Sequence, residues 1–308
     1  MPTTSALRIG VLVNPTAGRG RGAVFGARAR ARLRADGHEI VELSGTDAAD
    51  ARARAGSAIA AGAVDVLCVV GGDGTVHLGA NLCAGSDVPL AIVAAGSGND
   101  NARELGLPVR DPEAAVALIT EGAVRRVDAG RCRLADGTDR WWLGVLGGGF
   151  DSVVNERAAR WSWPDGPMRY RLAVARELPT FSAIPYAVTL DGVRHETEAM
   201  LVAVANGPAF GGGMRVCPDA SYDDGLLDVL ILHKISAVAF LRVFRKVFRG
   251  THVGHPRVEI LRGRRVRLEA RGIVTQADGE RFELLPIDVE VVPGALRVLA
   301  PRHTGTLT

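Results

Sequence analysis

The sequence predicts two domains: an N-terminal α/β domain built on a parallel sheet, and a β-rich C-terminal domain that forms an antiparallel sandwich. In the first half, short Val-rich segments alternate with segments of helical periodicity, which is typical of a parallel sheet covered by helices. In the second half, Asp-Gly pairs recur between β-rich runs and favour tight hairpin turns. The length of 308 residues fits about two domains.

The first domain is predicted to span residues 1–127. Its strands are expected at 7–13, 39–43, 64–70 and 90–94, and its helices at 23–35, 47–61, 76–82, 101–105 and 112–121. Glycine-rich loops follow three of these strands, at 14–22, 71–75 and 95–100. Because ligands of parallel sheets bind beyond the carboxyl ends of the strands, we expect the three loops to meet at one edge. Glycine lets a main chain approach a ligand closely, so this edge is predicted to hold phosphate.

The second domain is predicted to span residues 128–300. Its strands are expected at 141–146, 186–190, 199–205, 227–232, 265–270, 287–292 and 296–299. The Asp-Gly turns begin at Asp136, Asp165, Asp191, Asp224 and Asp278. The last strand is also compatible with a return to the first domain.

The overall composition excludes several classes of protein. The net charge is +3, and 35 of the 37 basic residues are arginines, so neither charge nor motif predicts a nucleic-acid partner. The four cysteines lie far apart and form no CxxC pair, which indicates reduced thiols. No signal peptide or apolar run of about 20 residues is present. We therefore expect a cytoplasmic protein, with room for peripheral contact at the inner face of the membrane.

Asp73 lies in the central loop, Gly71-Gly72-Asp73-Gly74-Thr75, where a carboxylate would repel phosphate unless a cation lay between them. This residue therefore predicts a metal–nucleotide complex, and Mg²⁺–ATP is the expected one. The alternative is an ordinary turn with Asp73 capping the next helix. Further polar groups for the same site come from Thr75, Ser97, Asn99 and Asp100.

Two other nucleotide motifs fit less well. The sequence has no G-x-x-x-x-G-K-[ST] run, so it has no P-loop. The spacing Gly18-x-Gly20-x-x-Ala23, with Glu39 and Glu42 about 20 residues on, matches a loose dinucleotide fingerprint but leaves the Asp73 loop unexplained.

The second half offers two acidic turns. The segment from Asp219 to Asp228 carries four carboxylates without the EF-hand spacing, and is either a site for one hard cation or a solvated turn. The Asp278-Gly279-Glu280 turn offers a carboxylate that could accept a proton from an alcohol, and otherwise reads as a plain hairpin.

Two segments bear on a lipid surface. The segment 237–249 forms an amphipathic helix with Phe240, Phe244 and Phe248 on one face, suited either to a membrane interface or to covering a sheet. The segment 161–164, Trp-Ser-Trp-Pro, is either membrane-facing, part of a lid, or core.

The motifs together resemble the diacylglycerol kinase catalytic-domain family, which includes bacterial lipid kinases and sphingosine kinases. The resemblance runs nearly end to end, through segments 14–18 (N-P-T-A-G), 71–75 (G-G-D-G-T), 96–103 (G-S-G-N-D-N-A-R), 147–151 (G-G-G-F-D), 206–228 (N…GGG…P-D-A…D-G-L-L-D) and 278–280 (D-G-E).

This resemblance implies an NAD kinase-like three-layer first domain, a β-sandwich second domain and an active site in the cleft between them. It implies that ATP is surrounded by Asn14, Pro15, Thr16, Ala17, Gly18, Thr46, Gly71, Gly72, Asp73, Gly74, Thr75, Val76, His77 and Ser97. It implies a Mg²⁺ at Ser221, Asp224 and Leu226, with backbone oxygens contributing. It implies Glu280, or Asp278 beside it, as the general base, and Asp73 as part of a catalytic Mg²⁺ network.

The expected function is therefore ATP- and Mg²⁺-dependent phosphorylation of a lipid hydroxyl at a membrane surface, with diacylglycerol as the expected acceptor. A homodimer is compatible with this expectation. One alternative is a soluble-substrate kinase of the NAD kinase type, which shares the G-G-D-G loop. The other is a non-catalytic lipid-binding protein on the same fold.

Overall fold

The computed structural model describes residues 6–161, 163 and 167–302. The chain divides into two compact units: unit 1 takes the chain up to residue 129 and again from 292, and unit 2 takes 130–291. The sequence-based boundary, after residue 127, lies close to this division. The chain passes from one unit to the other inside two strands.

Strands and helices alternate in the first part of the chain. They are β1 (Arg8–Val13), α1 (Ala17–Ala35), β2 (Glu39–Glu42), α2 (Ala48–Ala60), β3 (Val66–Gly71), α3 (Asp73–Cys83), β4 (Leu90–Ala94), α4 (Asp100–Glu104) and α5 (Pro112–Glu121).

The second part of the chain is mostly strand. Its elements are β5 (Ala123–Arg133), β6 (Asp139–Trp142), β7 (Val145–Gly149), α6 (Phe150–Ala159), α7 (Pro167–Glu177), β8 (Ile184–Leu190), β9 (Val193–Ala205), β10 (Leu227–His233), α8 (Ala237–Val247), a 3₁₀ helix (Thr251–Gly254), β11 (Val258–Gly263), β12 (Arg265–Glu269), β13 (Val274–Ala277), β14 (Glu280–Leu284) and β15 (Ile287–Ala300).

Unit 1 is a parallel sheet in the order β2–β1–β3–β4–β15 with helices on both faces. Every residue of β3 is buried, as expected for a central parallel strand. Cys68 and Val70 share a core cluster with residues of α1 and α5. Val69 points to the opposite face, where it contacts α3 close to Gly79. The carboxyl ends of β1, β3 and β4 are therefore held in fixed register.

Unit 2 is an antiparallel sheet in which β9 is the central strand. The strand β9 pairs with β8 through residues 193–199 and with β7 through residues 201–205. The fully buried Trp142 packs edge-on against Phe282 in the core, with ring centroids 6.0 Å apart. Helices α6, α7 and α8 contribute to a second core cluster that includes Phe150 and Phe240.

The predicted elements are all present, and several of them differ from the prediction in their limits. The two strands expected at 287–292 and 296–299 form one strand, β15, because Asp128 accepts a hydrogen bond of 2.7 Å from the amide of Gly294 at the expected break. The segment 141–146 is divided between β6 and β7. Helix α3 begins at Asp73 rather than at residue 76.

The Asp-Gly turns take different backbone conformations. Asp191-Gly192 and Asp278-Gly279 have positive φ at both residues, as in the type I′ hairpin turn. At the turns beginning at Asp136 and Asp224, only the glycine has a positive φ. The turn predicted at Asp165 lies outside the described residues. All four cysteines are buried and free, in keeping with reduced thiols.

Candidate active site

The three glycine loops of unit 1 meet at the carboxyl ends of their strands, as the parallel arrangement predicts. The amide of Asn14, just after β1, donates to the carbonyl of Val70 in β3 at 2.9 Å. The amide of Ala95, just after β4, donates to the carbonyl of Gly71 at 2.7 Å. The end of β3, which leads into the central loop, is therefore bonded to both of the other loops.

Glycine is required where the second and third loops touch. A Cβ atom added to Gly96 would lie 2.5 Å from the Cα atom of Gly72, far inside van der Waals contact. The two main chains therefore pass each other with no room for side chains. Such a surface presents backbone amides rather than side chains, which is the usual basis of a phosphate cradle.

The first loop takes a left-handed course. Gly18, Arg19 and Gly20 have φ of 58°, 62° and 90°, and a Cβ atom on Gly18 would lie 2.0 Å from the carbonyl oxygen of Ala95. The loop begins at Asn14, whose Oδ1 accepts hydrogen bonds from the amide and hydroxyl of Thr16 at 3.2 and 2.9 Å. Pro15 and Ala17 belong to the same turn.

Arg21 ties the first loop to the third. Its guanidinium donates to the carbonyl oxygens of Ala95 at 3.3 Å and Gly96 at 2.8 Å. The sequence analysis did not single out this residue. An arginine carries little signal in a stretch that also contains Arg19, Arg28 and Arg30.

Asp73 is bonded to the third loop and not to its own helix. Its Oδ2 accepts from the amide of Asn99 at 2.7 Å, and its Oδ1 accepts from the amide of Asn101 at 3.4 Å. The N-cap position of α3 is Gly72, so the alternative interpretation of Asp73 as a helix cap is wrong.

A second buried carboxylate faces Asp73. A Cβ atom added to Gly98 would lie 2.7 Å from Asp73 Oδ2 and 3.8 Å from Asp100 Oδ2, so both oxygens border the same space. Burial and the negative charge of Asp100 raise the pKa of Asp73, against the backbone hydrogen bonds that lower it. Arg103 pairs with Asp100 through Oδ1 at 2.9 Å. One buried and one partly buried carboxylate beside a set of backbone amides suit a divalent cation that also binds phosphate.

The other residues predicted to bind the nucleotide differ in accessibility. Ser97 is exposed, whereas Thr75, Val76 and His77 are buried. Asn99 has φ of 58° and its side-chain amide donates to the carbonyl of Gly96 at 3.0 Å, which shapes the third loop. His77 contacts Asn81 one turn along α3.

Thr46 has a local role in the structure. Its amide donates to Asp50 Oδ2 at 3.0 Å, close to the start of α2. Among residues 6–161, Thr46 forms no hydrogen bond with a residue of the three glycine loops.

In unit 2, Asp278 holds the turn between β6 and β7. Its carboxylate accepts hydrogen bonds from the amides of Leu143 at 3.0 Å, Gly144 at 2.7 Å and Val145 at 3.2 Å. Asn206 completes the clamp by donating its side-chain amide to the carbonyl of Leu143 at 2.8 Å. A carboxylate that is 8% exposed and bonded to three backbone amides is a structural anchor.

Asp278 itself lies in the hairpin turn between β13 and β14, and Glu280 is the first residue of β14 and is exposed. Its carboxylate forms no ion pair or side-chain hydrogen bond with the residues that the structure describes. The hairpin thus presents one anchored carboxylate and one accessible one, two residues apart.

Two of the four carboxylates in the acidic turn of unit 2 are paired with one arginine. Arg262 contacts Asp224 Oδ2 and, through Nε at 3.0 Å, Asp228 Oδ1. Asp224 Oδ1 accepts from the amide of Leu226 at 3.0 Å, and the hydroxyl of Ser221 donates to Asp223 at 2.6 Å. The oxygens are of the type that Mg²⁺ prefers, but the described part of the chain has no group of three or more His, Cys, Asp or Glu side chains arranged to hold a metal. The set predicted to hold Mg²⁺, Ser221, Asp224 and Leu226, contains only one side chain of these types, so the metal site there stays a prediction.

The segments predicted to face a membrane are only partly described. Trp163 is 80% exposed and Trp161 is partly buried, while Ser162 and Pro164 lie outside the described residues. Among the described residues, no helix is both long enough and apolar enough to cross a bilayer.

Two family models cover most of the chain. A diacylglycerol kinase catalytic domain matches residues 8–132, and the YegS C-terminal NAD kinase beta sandwich-like domain matches residues 144–300. The second match confirms the predicted sandwich, and both fit the predicted order of domains.

Curated relatives agree with these models. A diacylglycerol kinase of Mycobacterium tuberculosis (strain ATCC 25618 / H37Rv) is 40% identical over 297 residues, which cover 96% of each chain. A diacylglycerol kinase of Bacillus subtilis (strain 168) is 27% identical over 300 residues, covering 96% of this chain and 97% of that one.

Solved structures extend the likeness to the fold. A candidate diacylglycerol kinase from Bacillus anthracis str. Sterne superposes with a TM-score of 0.77 at 26% identity, covering 98% of this chain and 100% of the other. An NAD kinase from Archaeoglobus fulgidus in complex with ATP gives a TM-score of 0.52 at 13% identity, covering 96% and 94%, and shows the fold alone.

The predicted resemblance is therefore confirmed at the level of both domains. The interpretation as a non-catalytic lipid-binding protein is set aside, because the matching family and the relatives named above are kinases. The chain belongs to the diacylglycerol kinase family of lipid kinases.

Proposed function

We propose that this chain transfers the γ-phosphoryl group of ATP to the hydroxyl of a diacylglycerol with the help of Mg²⁺. The observation that carries the proposal is the pair of carboxylates formed by the partly buried Asp73 and the buried Asp100, set among glycine loops whose backbone amides suit phosphate. The choice of acceptor is supported by the relative named diacylglycerol kinase that is 40% identical over 96% of each chain.

The glycine loops would bind the triphosphate. Their shared property is a main chain free of obstructing side chains, which suits close approach of phosphate oxygens. The residues proposed for this role are Asn14, Pro15, Thr16, Ala17, Gly18, Gly71, Gly72, Gly74, Thr75, Val76, Ser97 and Asn99. Thr46 and His77 are proposed for the same role with less support, because Thr46 is bonded to Asp50 and His77 is buried.

Mg²⁺ would be held by Asp73 and Asp100. When bound, the ion supplies positive charge that offsets the negative charge of the phosphates. The chain itself fixes the orientation of Asp73 through two amides of the third loop. It holds Asp100 through Arg103, so neither carboxylate needs to reorganise.

Glu280 would be the general base, and Asp278 would position it. The acceptor hydroxyl gives its proton to the Glu280 carboxylate while its oxygen bonds to the γ-phosphorus. The bond from that phosphorus to the β–γ bridging oxygen breaks, and ADP leaves. Asp278 fixes the hairpin from which Glu280 projects, because its own oxygens are bonded to three amides.

The test is transfer of label from γ-labelled ATP to a panel of acceptors in detergent: diacylglycerol, monoacylglycerol, sphingosine and NAD. We expect label in diacylglycerol, and its loss when EDTA replaces Mg²⁺. Label in NAD instead would favour the NAD kinase type of activity. Label in sphingosine but not in diacylglycerol would contradict the proposed acceptor.

A variant tests the proposed base. Glu280→Gln keeps the size of the side chain and removes the basic oxygen, so we expect transfer to fall about a thousandfold. Thermal unfolding is expected to be unchanged, since Glu280 is exposed and makes no contact that stabilises the hairpin. A rate near that of the parent enzyme would remove Glu280 from the mechanism.

A further inference from the structure

Helix α8 of unit 2 uses one face to cover the core. Phe240 and Val243 are buried, and Phe244 and Val247 pack against the same cluster. Phe240 lies edge-on to Phe150, with ring centroids 4.7 Å apart. The apolar side of this amphipathic helix therefore packs within unit 2, which agrees with the interpretation that the helix covers a sheet.

The solvent-facing side of α8 carries apolar side chains that the described residues of unit 2 cover only in part. Val238 and Leu241 are 60% and 47% exposed, and Phe248, directly after the helix, is 48% exposed and lies edge-on to Phe244. Val253, on the 3₁₀ helix that follows, is 38% exposed. Three large apolar groups in one row at the surface exceed the scattered exposure that is normal for a globular protein.

The same face carries uncompensated positive charge. Four cations, Arg242, Arg245, Lys246 and Arg249, are exposed, and the sequence has no Asp or Glu between residues 229 and 258. None of the four takes part in an ion pair or side-chain hydrogen bond with the residues that the structure describes. By contrast, Arg131, Arg194, Arg262 and Arg267 of the same unit each pair with two carboxylates.

We propose that this outer face of α8 docks the protein on a membrane that contains anionic lipid. The helix would lie parallel to the surface, with Leu241 and Phe248 entering the interface and the arginines reaching lipid phosphates. Charge complementarity selects an anionic surface, since the face has four cations and no anion. The apolar row selects a membrane over nucleic acid, because Val238 and Leu241 would gain nothing from a wholly charged partner.

This inference rests on the proposed function in one respect: an acceptor with acyl chains lies in a bilayer, so the enzyme must reach one. Docking itself involves none of the residues proposed for ATP, Mg²⁺ or proton transfer. Membrane binding can therefore be measured without either substrate, and the two proposals can fail separately.

The test is co-sedimentation of the full chain with vesicles of phosphatidylcholine, with and without phosphatidylglycerol. We expect binding to the anionic vesicles only, and weaker binding as salt is raised. A charge variant removes three cations from α8: Arg242→Gln, Arg245→Gln and Arg249→Gln. Each cation near an anionic surface is worth about a fivefold change in affinity, so we expect binding about a hundredfold weaker.

A matched control removes three cations that are exposed and unpaired elsewhere: Arg34→Gln, Arg110→Gln and Arg271→Gln. This control is expected to bind anionic vesicles as the parent does. An equal loss in both variants would show that net charge, and not α8, governs binding, and would overturn the proposal. Undiminished binding of the α8 variant would overturn it as well.

A second variant tests the apolar row. Leu241→Ser with Phe248→Ser is expected to weaken vesicle binding at high salt, whereas Val193→Ser with Leu284→Ser, at other exposed sites, is not. If the α8 pair instead converts a dimer to a monomer and leaves vesicle binding intact, the face is an interface between copies and the proposal is wrong. Tighter binding of the parent to a DNA duplex than to anionic vesicles would also overturn it.

Activity separates this proposal from the proposed function. Transfer to a short-chain diacylglycerol dispersed in water is expected to be the same in the α8 charge variant and the parent, while transfer to diacylglycerol in anionic vesicles falls. Vesicle binding without transfer to any lipid would defeat the proposed function and leave the docking face standing.

Discussion

Two aspartates, one in each unit, stand next to glycine in a turn after a strand, and both are bonded to backbone amides from a distant segment. Asp73 accepts from two amides of the third loop, and Asp278 accepts from three amides of the turn between β6 and β7. Their surroundings differ in charge. Asp73 faces a second buried carboxylate, Asp100, whereas Asp278 has a full set of donors around it.

The comparison shows that an aspartate followed by glycine can have two different roles. At Asp278 the carboxylate stabilises the fold by satisfying amides that would otherwise be buried without acceptors. At Asp73 burial and a neighbouring negative charge oppose ionisation, so the folded state bears a cost that only a bound cation would relieve. The first is an arrangement for stability, and the second is one for binding.

The largest effect is expected from Asp73→Asn. Loss of the charge that is proposed to hold Mg²⁺ should lower phosphoryl transfer about a thousandfold, measured as the initial rate with labelled ATP. The stability should rise, because ionising a group whose pKa is raised by folding costs stability as the pH rises through that pKa. A variant that is less stable than the parent would show that Asp73 is an anchor like Asp278.

The same substitution at Asp278 should change stability in the opposite direction. An asparagine keeps one acceptor oxygen but turns an NH₂ group toward the amides of Leu143 to Val145. We expect a loss of about 2 kcal/mol in the free energy of unfolding, measured with urea near neutral pH. If both substitutions were equally destabilising, the difference drawn between the two aspartates would not hold.

Much of unit 1 follows from the sequence because its signals are local. Each buried strand is a short Val-rich run, and each glycine loop comes directly after one, so both the sheet and the meeting of the loops were predictable. Asp73 was predictable as a carboxylate out of place beside phosphate-binding glycines. Its bonds to Asn99 and Asn101 were not, because they join residues 26 and 28 positions apart.

The sequence analysis missed several residues for one physical reason, which is that their partners lie far away in the sequence. Arg21 and Arg262 act through partners 75 and 38 positions away in the sequence, Gly96 and Asp224. In a chain where arginines make up 35 of 37 basic residues, no single arginine stands out. Asp278 was noted as a candidate base because a turn carboxylate looks accessible, and only the three amides show that it is held.

A smaller effect is expected from Arg262→Gln. Asp228 is buried and Arg262 supplies its positive partner, so the loss should destabilise the protein by about 1–2 kcal/mol. Arg267→Gln is the control, because Arg267 pairs with Asp288 and Glu269, whose side chains are 69% and 31% exposed, and ion pairs at the surface contribute little.

The same variant also examines the predicted Mg²⁺ site at Ser221, Asp224 and Leu226. If the acidic turn binds Mg²⁺ once Arg262 is removed, the melting temperature of Arg262→Gln should rise with Mg²⁺ more than that of the parent. An equal response of both proteins to Mg²⁺ and EDTA would show that the turn has no affinity for the metal even without the arginine.

The smallest effect concerns pH and a histidine of unit 2. His252 is buried, its Nε2–H donates to the carbonyl of Val216 at 2.9 Å, and its Nδ1 has no partner among the described residues. Burial lowers the pKa of His252 below its ordinary value of 6.5. The unfolded chain therefore binds a proton at a higher pH than the folded one, so stability is lost as the pH falls below 6.5, by at most about 1.4 kcal/mol per pH unit.

The variant His252→Gln keeps a donor for Val216 and removes the titration, so its unfolding free energy should fall less steeply between neutral and mildly acid pH. His195→Gln, at a partly exposed histidine of the same unit, should retain the slope of the parent. Since neither histidine lies among the residues proposed for ATP or proton transfer, a flattened slope in His252→Gln assigns the acid sensitivity to the core of unit 2. An unchanged slope would place it in other groups. Asp73 is excluded by the opposite sign of its effect, because a carboxylate whose pKa is raised gains stability as the pH falls.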